Sequence, residues 1–237
     1  MSAKAITCLL TGFDAFGKNK VNPTEIIVEA FPDLVKTKPS GPLRRAKEIH
    51  IEKRILPTAG IKGWKALKAA LDHVVENSSG PIYVVMTGLA NKRNWISLER
   101  FAINIKDYGL ADNSGHQPLD KPISKNAPDL LRTKVDLAAL NKAVTDLGYP
   151  SNISNHAGTF ICNELYFQAL HYATQQPKIK SIVFVHVPNE KDFALAAAKS
   201  KKKAISRAAL AATTSKKQIQ FLGQAIAEIV ETACKLI

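Results

Sequence analysis

Three short runs of the chain are apolar almost without interruption: residues 5–11 (AITCLLT), 82–87 (IYVVMT) and 181–187 (SIVFVHV). Continuous runs of this length, rich in β-branched residues, predict strands buried on both faces, so each reads as a central strand. Between them the period changes. Ile61, Trp64, Leu67, Leu71, Val74 and Val75 share a helical face within residues 61–77, and Asp136 to Leu147 reads as a second helix stopped by Gly148. Near 216–236 a last helix turns Ile219, Leu222, Ile226, Val230 and Ala233 inward, and Ser215 followed by Gln218 predicts a capping box at its start. This alternation predicts a three-layer α/β/α sandwich around a mostly parallel, mixed central sheet, in one domain spanning residues 1–237. In such folds active sites collect at the carboxyl ends of strands.

Three stretches break the pattern and read as irregular: 36–48 with two prolines and five basic residues, 108–129 with three prolines, and 188–214. The last contains KDFALAAAKSKKKAISRAALAA, whose composition favours helix but which lacks a strong apolar face. It is expected to be a mobile excursion or an interfacial helix.

Composition narrows the class. With 237 residues, 46% of them hydrophobic, the chain can bury a full core. No apolar run approaches the roughly 20 residues of a membrane-spanning helix, and Met-Ser-Ala-Lys running into AITCLLT lacks the layout of a signal peptide. A soluble, cytoplasmic protein with no membrane association is expected. Cys8, Cys162 and Cys234 are too few and scattered for a disulfide framework, and no CxxC or HxxxH spacing offers a metal site. Thirty-three Lys plus Arg against twenty Asp plus Glu give a net charge of +13, which attracts polyanions at low salt. Lys199, Lys201, Lys202 and Lys203 have no aromatic residues interleaved to stack on bases, so no specific nucleic-acid partner is expected.

Gly12 to Lys18 (GFDAFGK) has the spacing of a phosphate-binding loop after a strand, but its chemistry opposes phosphate. Asn19 stands where a Ser or Thr would ligate magnesium, Asp14 places a negative charge in the cradle, and Phe13 and Phe16 crowd it. Two rings three residues apart after a strand end suit a small flat group; the alternative is that they fold back into the core.

Cys162 follows a Gly-Thr turn and opens a predicted helix, NHAGTFICNELYFQALHYA. The free N–H groups and positive dipole end there are expected to lower the thiol pKa and to supply donors for an oxyanion. Cys8 and Cys234 read as small buried hydrophobes. His186 ends the strand SIVFVHV before Pro188, where its imidazole can enter a site at the strand's carboxyl end. His156, six residues before Cys162, is a rival base, whereas His50 and His73 lack a comparable setting. Glu99 in LERFAIN is placed to orient an imidazole, the alternative being a surface salt bridge.

TGFDAFG with Asn22-Pro23, GLANKR, LERFAIN, ADNSGHQPLD, NHAGTFICNELYF and FVHVP together resemble, in order, the motifs of the pyroglutamyl peptidase I family over residues 6–188. The resemblance implies a cysteine exopeptidase that hydrolyses the amide bond after an N-terminal pyroglutamyl residue through a thioester. It implies Cys162 as nucleophile, His186 as general base and then acid, Glu99 as the residue holding His186, and Phe13, Phe16, Asn22 and Ile161 around the pyrrolidone ring. No metal or organic cofactor is implied, the substrates are small pyroglutamyl peptides, and assembly as a homo-oligomer, often a tetramer, is expected. Leu89 and Gly109 depart from the family pattern, standing where many bacterial members carry glutamine and arginine, and Lys106 or Tyr108 could compensate. The alternative readings are a weakly active or non-catalytic homologue acting as a binding module, a nucleic-acid-associated protein, and a cysteine hydrolase of another substrate.

Overall fold

The computed structural model describes residues 5–17, 21–37 and 46–235. Lys18 and Asn19 of the glycine loop and most of the proline-containing 36–48 stretch lie outside them. Along the chain come β1 (Ile6–Phe13), α1 (Pro23–Glu29), β2 (Leu34–Lys36), β3 (Glu48–Leu56), α2 (Gly60–Asn77) and β4 (Ile82–Leu89). There follow β5 (Ile96–Glu99), β6 (Phe101–Ile103), β7 (Leu130–Arg132), α3 (Leu137–Leu147), β8 (Ser151–Ser154) and α4 (Ile161–Ala173). β9 (Ile179–Val187), α5 (Glu190–Ala197), α6 (Lys203–Ala211) and α7 (Ser215–Ala233) complete the order.

The three apolar runs lie side by side. A seven-stranded sheet has the order β2-β3-β1-β4-β9-β5-β8, and β1, β4 and β9 form its buried, parallel centre. It is mixed as expected: β2 runs antiparallel to β3, and β5 antiparallel to β9. Residues alternate between the two faces along each strand. Cys8, Leu10, Val85, Val183 and Val185 join one core cluster with residues of α1, α3, α5 and α7, and Leu9, Val84, Met86, Ile182 and Phe184 join another with α2 and α4. Three layers result, with α2 and α4 on one face.

Glycine sets the approach of α1 to β1. A Cβ on Gly12 would lie 2.6 Å from the Thr24 carbonyl oxygen, inside any tolerable contact. Asn22 caps α1, its side chain accepting from the Thr24 N–H at 3.1 Å, and the Thr24 hydroxyl accepts from the Phe13 N–H at 3.0 Å.

Two expectations need correction. The 188–214 stretch is not irregular: α5 buries Phe193, Ala194 and Ala197 against the α7 side of the core, which offsets its short apolar face. The cap of α7 is Thr214 rather than Ser215, whose hydroxyl instead meets Glu190 at 2.9 Å. The 108–129 stretch is irregular but closely tied, with Lys106 bridging Lys121 and Asp112 accepting from the N–H groups of Gly60, Ser114 and His116 at 2.9, 2.8 and 3.0 Å.

Candidate active site

Register brings the thiol, imidazole and carboxylate together. In the parallel β4–β9 pair Gly88 stands opposite His186, and in the antiparallel β9–β5 pair Ser97 stands opposite His186, with Glu99 two residues further along the same face. The diagonal places Glu99 within reach, and His186 Nδ1 lies 2.7 Å from Glu99 Oε1. Cys162 is the second residue of α4, above the same face; a Cβ built on Gly88 would come within 3.0 Å of its Sγ. Across β4, β9 and β5 the order is therefore thiol, imidazole, carboxylate.

Glu99 is fully buried and His186 is 5% exposed. An Nδ1–H donated to the carboxylate leaves the His186 Nε2 lone pair free to take a proton. The Glu99 backbone is fixed as well, its carbonyl accepting from the Tyr166 hydroxyl at 3.0 Å. Arg93 Nη1 donates to the same Oε1 at 2.6 Å. Arg93 was not singled out in the sequence, although it closes the GLANKR motif; its signal was a cation six residues before the carboxylate on a turn.

The protonation pattern follows from burial. Burial tends to raise the Glu99 carboxyl, but the hydrogen bond and charge of His186, with Ser154 and Arg93, outweigh it and hold the group below the usual carboxylate range. Burial lowers the His186 pKa, with Glu99 opposing and Arg93 and His156 adding to the depression. Burial pushes the Cys162 thiol up to about 12, the Glu99 charge raising it and Arg93 and its own backbone N–H opposing. This overturns the expectation of a lowered thiol pKa: the helix start is present, but desolvation beside a carboxylate outweighs it. A thiol shifted up and an imidazole shifted down favour the neutral pair at rest, so that the proton leaves as sulfur attacks.

A cavity of about 330 Å³ opens beside the thiol. Cys162, Phe13, Phe16, Asn22 and Ile161 all line it, and so does Phe160, which the sequence reading missed although it lies two residues before the cysteine. Phe13 is also core, 3% exposed and 6.4 Å from the Phe184 ring, while Phe16 meets Phe160 at 5.2 Å. For Phe13 the two readings merge, since it packs in the core and walls the cavity, whereas Phe16 is half-buried and stands only in the cavity wall. Asn22 holds the loop, its amide donating to the Asp14 carbonyl at 3.0 Å. Asp14 Oδ1 accepts from the Thr58 N–H at 2.7 Å, which ties the loop to the segment before α2.

Leu89 and Gly109 line the cavity too, the first adding apolar surface and the second leaving open space where a side chain would stand. Lys106 and Tyr108 do not fill that gap: both turn to Glu164, the Tyr108 hydroxyl as a hydrogen-bond donor and Lys106 Nζ at 3.5 Å. His156 is exposed, its ring accepting from the Gly158 N–H at 3.2 Å, and does not line the cavity. His50 and His73 are exposed as well, the latter beside Asn77. Among the described residues no cluster of three His, Cys, Asp or Glu could hold a metal, and no helix is long and apolar enough to cross a membrane.

A family profile for pyroglutamyl peptidase matches residues 6–220. A pyrrolidone-carboxylate peptidase of Fusobacterium nucleatum is 32% identical over 180 residues, 76% of this chain and 77% of its own length, and one of Yersinia pestis is 33% identical over the same shares. Among solved structures, the pyrrolidone carboxyl peptidase of Fervidobacterium islandicum superposes with a TM-score of 0.75 at 28% identity, covering 98% of this chain and 100% of that one. Pyroglutamyl peptidase I of Bacillus amyloliquefaciens gives 0.74 at 26% identity, covering 98% of each.

Proposed function

The chain belongs to the pyroglutamyl peptidase family, and from that premise we propose that it hydrolyses the amide bond following an N-terminal pyroglutamyl residue with Cys162 as nucleophile. The observation that carries the reading is the line of thiol, imidazole and carboxylate across three adjacent strands, opening into an aromatic-walled cavity. Pyroglutamate lacks a free α-amine, so charge cannot hold it; a flat lactam calls for apolar walls, and Phe13, Phe16 and Ile161 supply them while Asn22 keeps the loop in place.

Chemistry follows from the neutral resting pair. As Cys162 Sγ bonds to the pyroglutamyl carbonyl carbon, its proton passes to His186 Nε2, and Glu99 stabilises the imidazolium that forms. The N–H groups in the first turn of α4 have no helical partners and suit the oxyanion. Collapse breaks the C–N bond, His186 returns the proton to the leaving amine, and a thioester remains. Water then attacks, His186 taking its proton, and pyroglutamate leaves as the thiol is restored.

We further read residues 1–237 as one peptidase domain acting in the cytoplasm on small pyroglutamyl peptides as a homo-oligomer. Three free cysteines accord with a reducing compartment.

The test is release of a fluorescent amine from a pyroglutamyl amide by wild type, Cys162→Ala and Glu99→Gln, with an alanyl amide as control. Wild type should act on the pyroglutamyl compound alone, Cys162→Ala should lose about 10⁴-fold or more, and Glu99→Gln should lose less. Absence of release by folded wild type would refute the activity.

A further inference from the structure

Beneath the cavity wall lies a buried polar group that the chemistry above does not use. Glu164 sits two residues after Cys162 on α4 and is 4% exposed; its Oε2 accepts the hydroxyl of Tyr108, itself 1% exposed, and its Oε1 is 3.5 Å from Lys106 Nζ. Burial and the Glu164 charge push the Tyr108 phenol far up, so it remains a donor.

From Tyr108 the contacts run to the substrate cavity. Its ring meets Phe160 edge-on, centroids 4.6 Å apart and planes at 66°, and Phe160 in turn packs on Phe16 at 5.2 Å. The Tyr108 backbone is held at both ends of its peptide, its N–H donating to the Pro118 carbonyl at 2.9 Å and its carbonyl accepting from Gln117 Nε2 at 3.0 Å. Asp107, Gly109 and Leu110, on either side of it, line the cavity. One carboxylate on the nucleophile's helix thus anchors the phenol that backs the cavity's ring wall.

We propose that Tyr108, held by Glu164, is a positioning residue that fixes Phe160 and Phe16 at the spacing of a five-membered lactam, and so sets which ring the cavity accepts. The proposal rests on the peptidase reading and deepens it. Removing the phenol hydroxyl leaves Glu164 with Lys106 alone and lets the ring stack relax outward. Selection against a six-membered lactam then weakens, because that homologue differs by one methylene, a change worth about 10- to 200-fold in a well-fitted apolar pocket.

The experiment measures how well 2-pyrrolidone and its six-membered homologue 2-piperidone protect Cys162 from iodoacetamide, alongside KM and kcat for a pyroglutamyl amide. Tyr108→Phe should reduce the five-over-six protection ratio and raise KM, each by about tenfold, with kcat and unprotected alkylation within roughly threefold. Glu164→Gln keeps an oxygen that can accept the phenol proton and should retain the ratio. If Tyr108→Phe does not fold, Phe160→Leu interrupts the same ring stack and must lower the ratio. An unchanged ratio in the folded variant, with normal wild-type turnover, overturns the proposal alone; wild type that neither turns over the amide nor is protected overturns the peptidase reading with it.

Discussion

At Gly88 the sheet and helix α4 approach until a methyl group has no room: its Cβ would stand 2.8 Å from Phe184 Cζ and 3.0 Å from Cys162 Sγ. Gly88→Ala should therefore push the thiol out of line with His186 and lower kcat by about 10²-fold, the effect of a misplacement on the order of 1 Å; steady-state kinetics beside a circular-dichroism spectrum checks it. Arg93 makes the second argument at this scale. Its charge lowers the His186 pKa, with His156 acting in the same sense and Glu99 opposing. His186 must be neutral to accept the thiol proton, so activity falls as pH drops through its depressed pKa. Removing the cation in Arg93→Met raises that pKa, and the acid limb of kcat/KM should move to higher pH. A pH profile of both proteins from 5 to about 9 decides it, and an unmoved or acid-shifted limb contradicts the argument.

Among the elements, α2 shows how a helix end can be satisfied from far along the chain. Its N-cap, Ala59, has no side-chain acceptor, and Asp112 supplies one by accepting from the Gly60 N–H at 2.9 Å. Burial tends to raise the Asp112 carboxyl, but the N–H groups of His116, Gly60 and Ser114 outweigh it and leave the pKa depressed. A depressed carboxyl stabilises the fold above its unfolded pKa, about 3.9, and that contribution disappears as pH falls through the folded value. Asp112→Ala should cost about 1–2 kcal/mol near neutral pH, with the difference from wild type narrowing below roughly pH 4. Denaturant melts at two pH values would show it, and a gap that widens in acid would be the wrong sign. Next to Asp112, Asn113 Nδ2 donates to the Ala15 carbonyl at 2.9 Å and ties the same stretch to the loop that carries Phe16.

For the molecule as a whole, α5 and α6 leave Leu195 and Leu210 59% and 66% exposed beside lysines that dominate a +13 chain. Apolar side chains on adjacent short helices suit a contact between copies, whereas the lysines repel at low salt. A homo-oligomer should therefore strengthen as salt rises from about 10 mM to 150 mM, where the screening length falls from roughly 30 to 8 Å, and Leu210→Glu should weaken it. Light scattering of both proteins at the two salt levels tests this; a wild-type monomer under both conditions contradicts it.

The apolar runs fixed the centre of the sheet because a strand buried on both faces must be apolar throughout, and that requirement is local. Cys162 at a helix start and His186 near a strand end were legible for the same reason, each carrying a nearby signal in turn or proline. β5 is only four residues long, and its pairing with β9 depends on partners 87 residues apart, so the diagonal that brings Glu99 to His186 could not be seen in local pattern. Nor could the thiol's state: the helix start argues for a lowered pKa, and only the folded core adds the desolvation and the Glu99 charge that push it the other way. Phe160 and the Tyr108–Glu164 pair were hidden likewise, since their partners arrive from other segments, whereas Arg93 lies only six residues from Glu99 and carried a local signal. Sequence determined which residue types and local elements were available; tertiary structure decided which of them share a solvent-poor space, and there distance and desolvation set the chemistry.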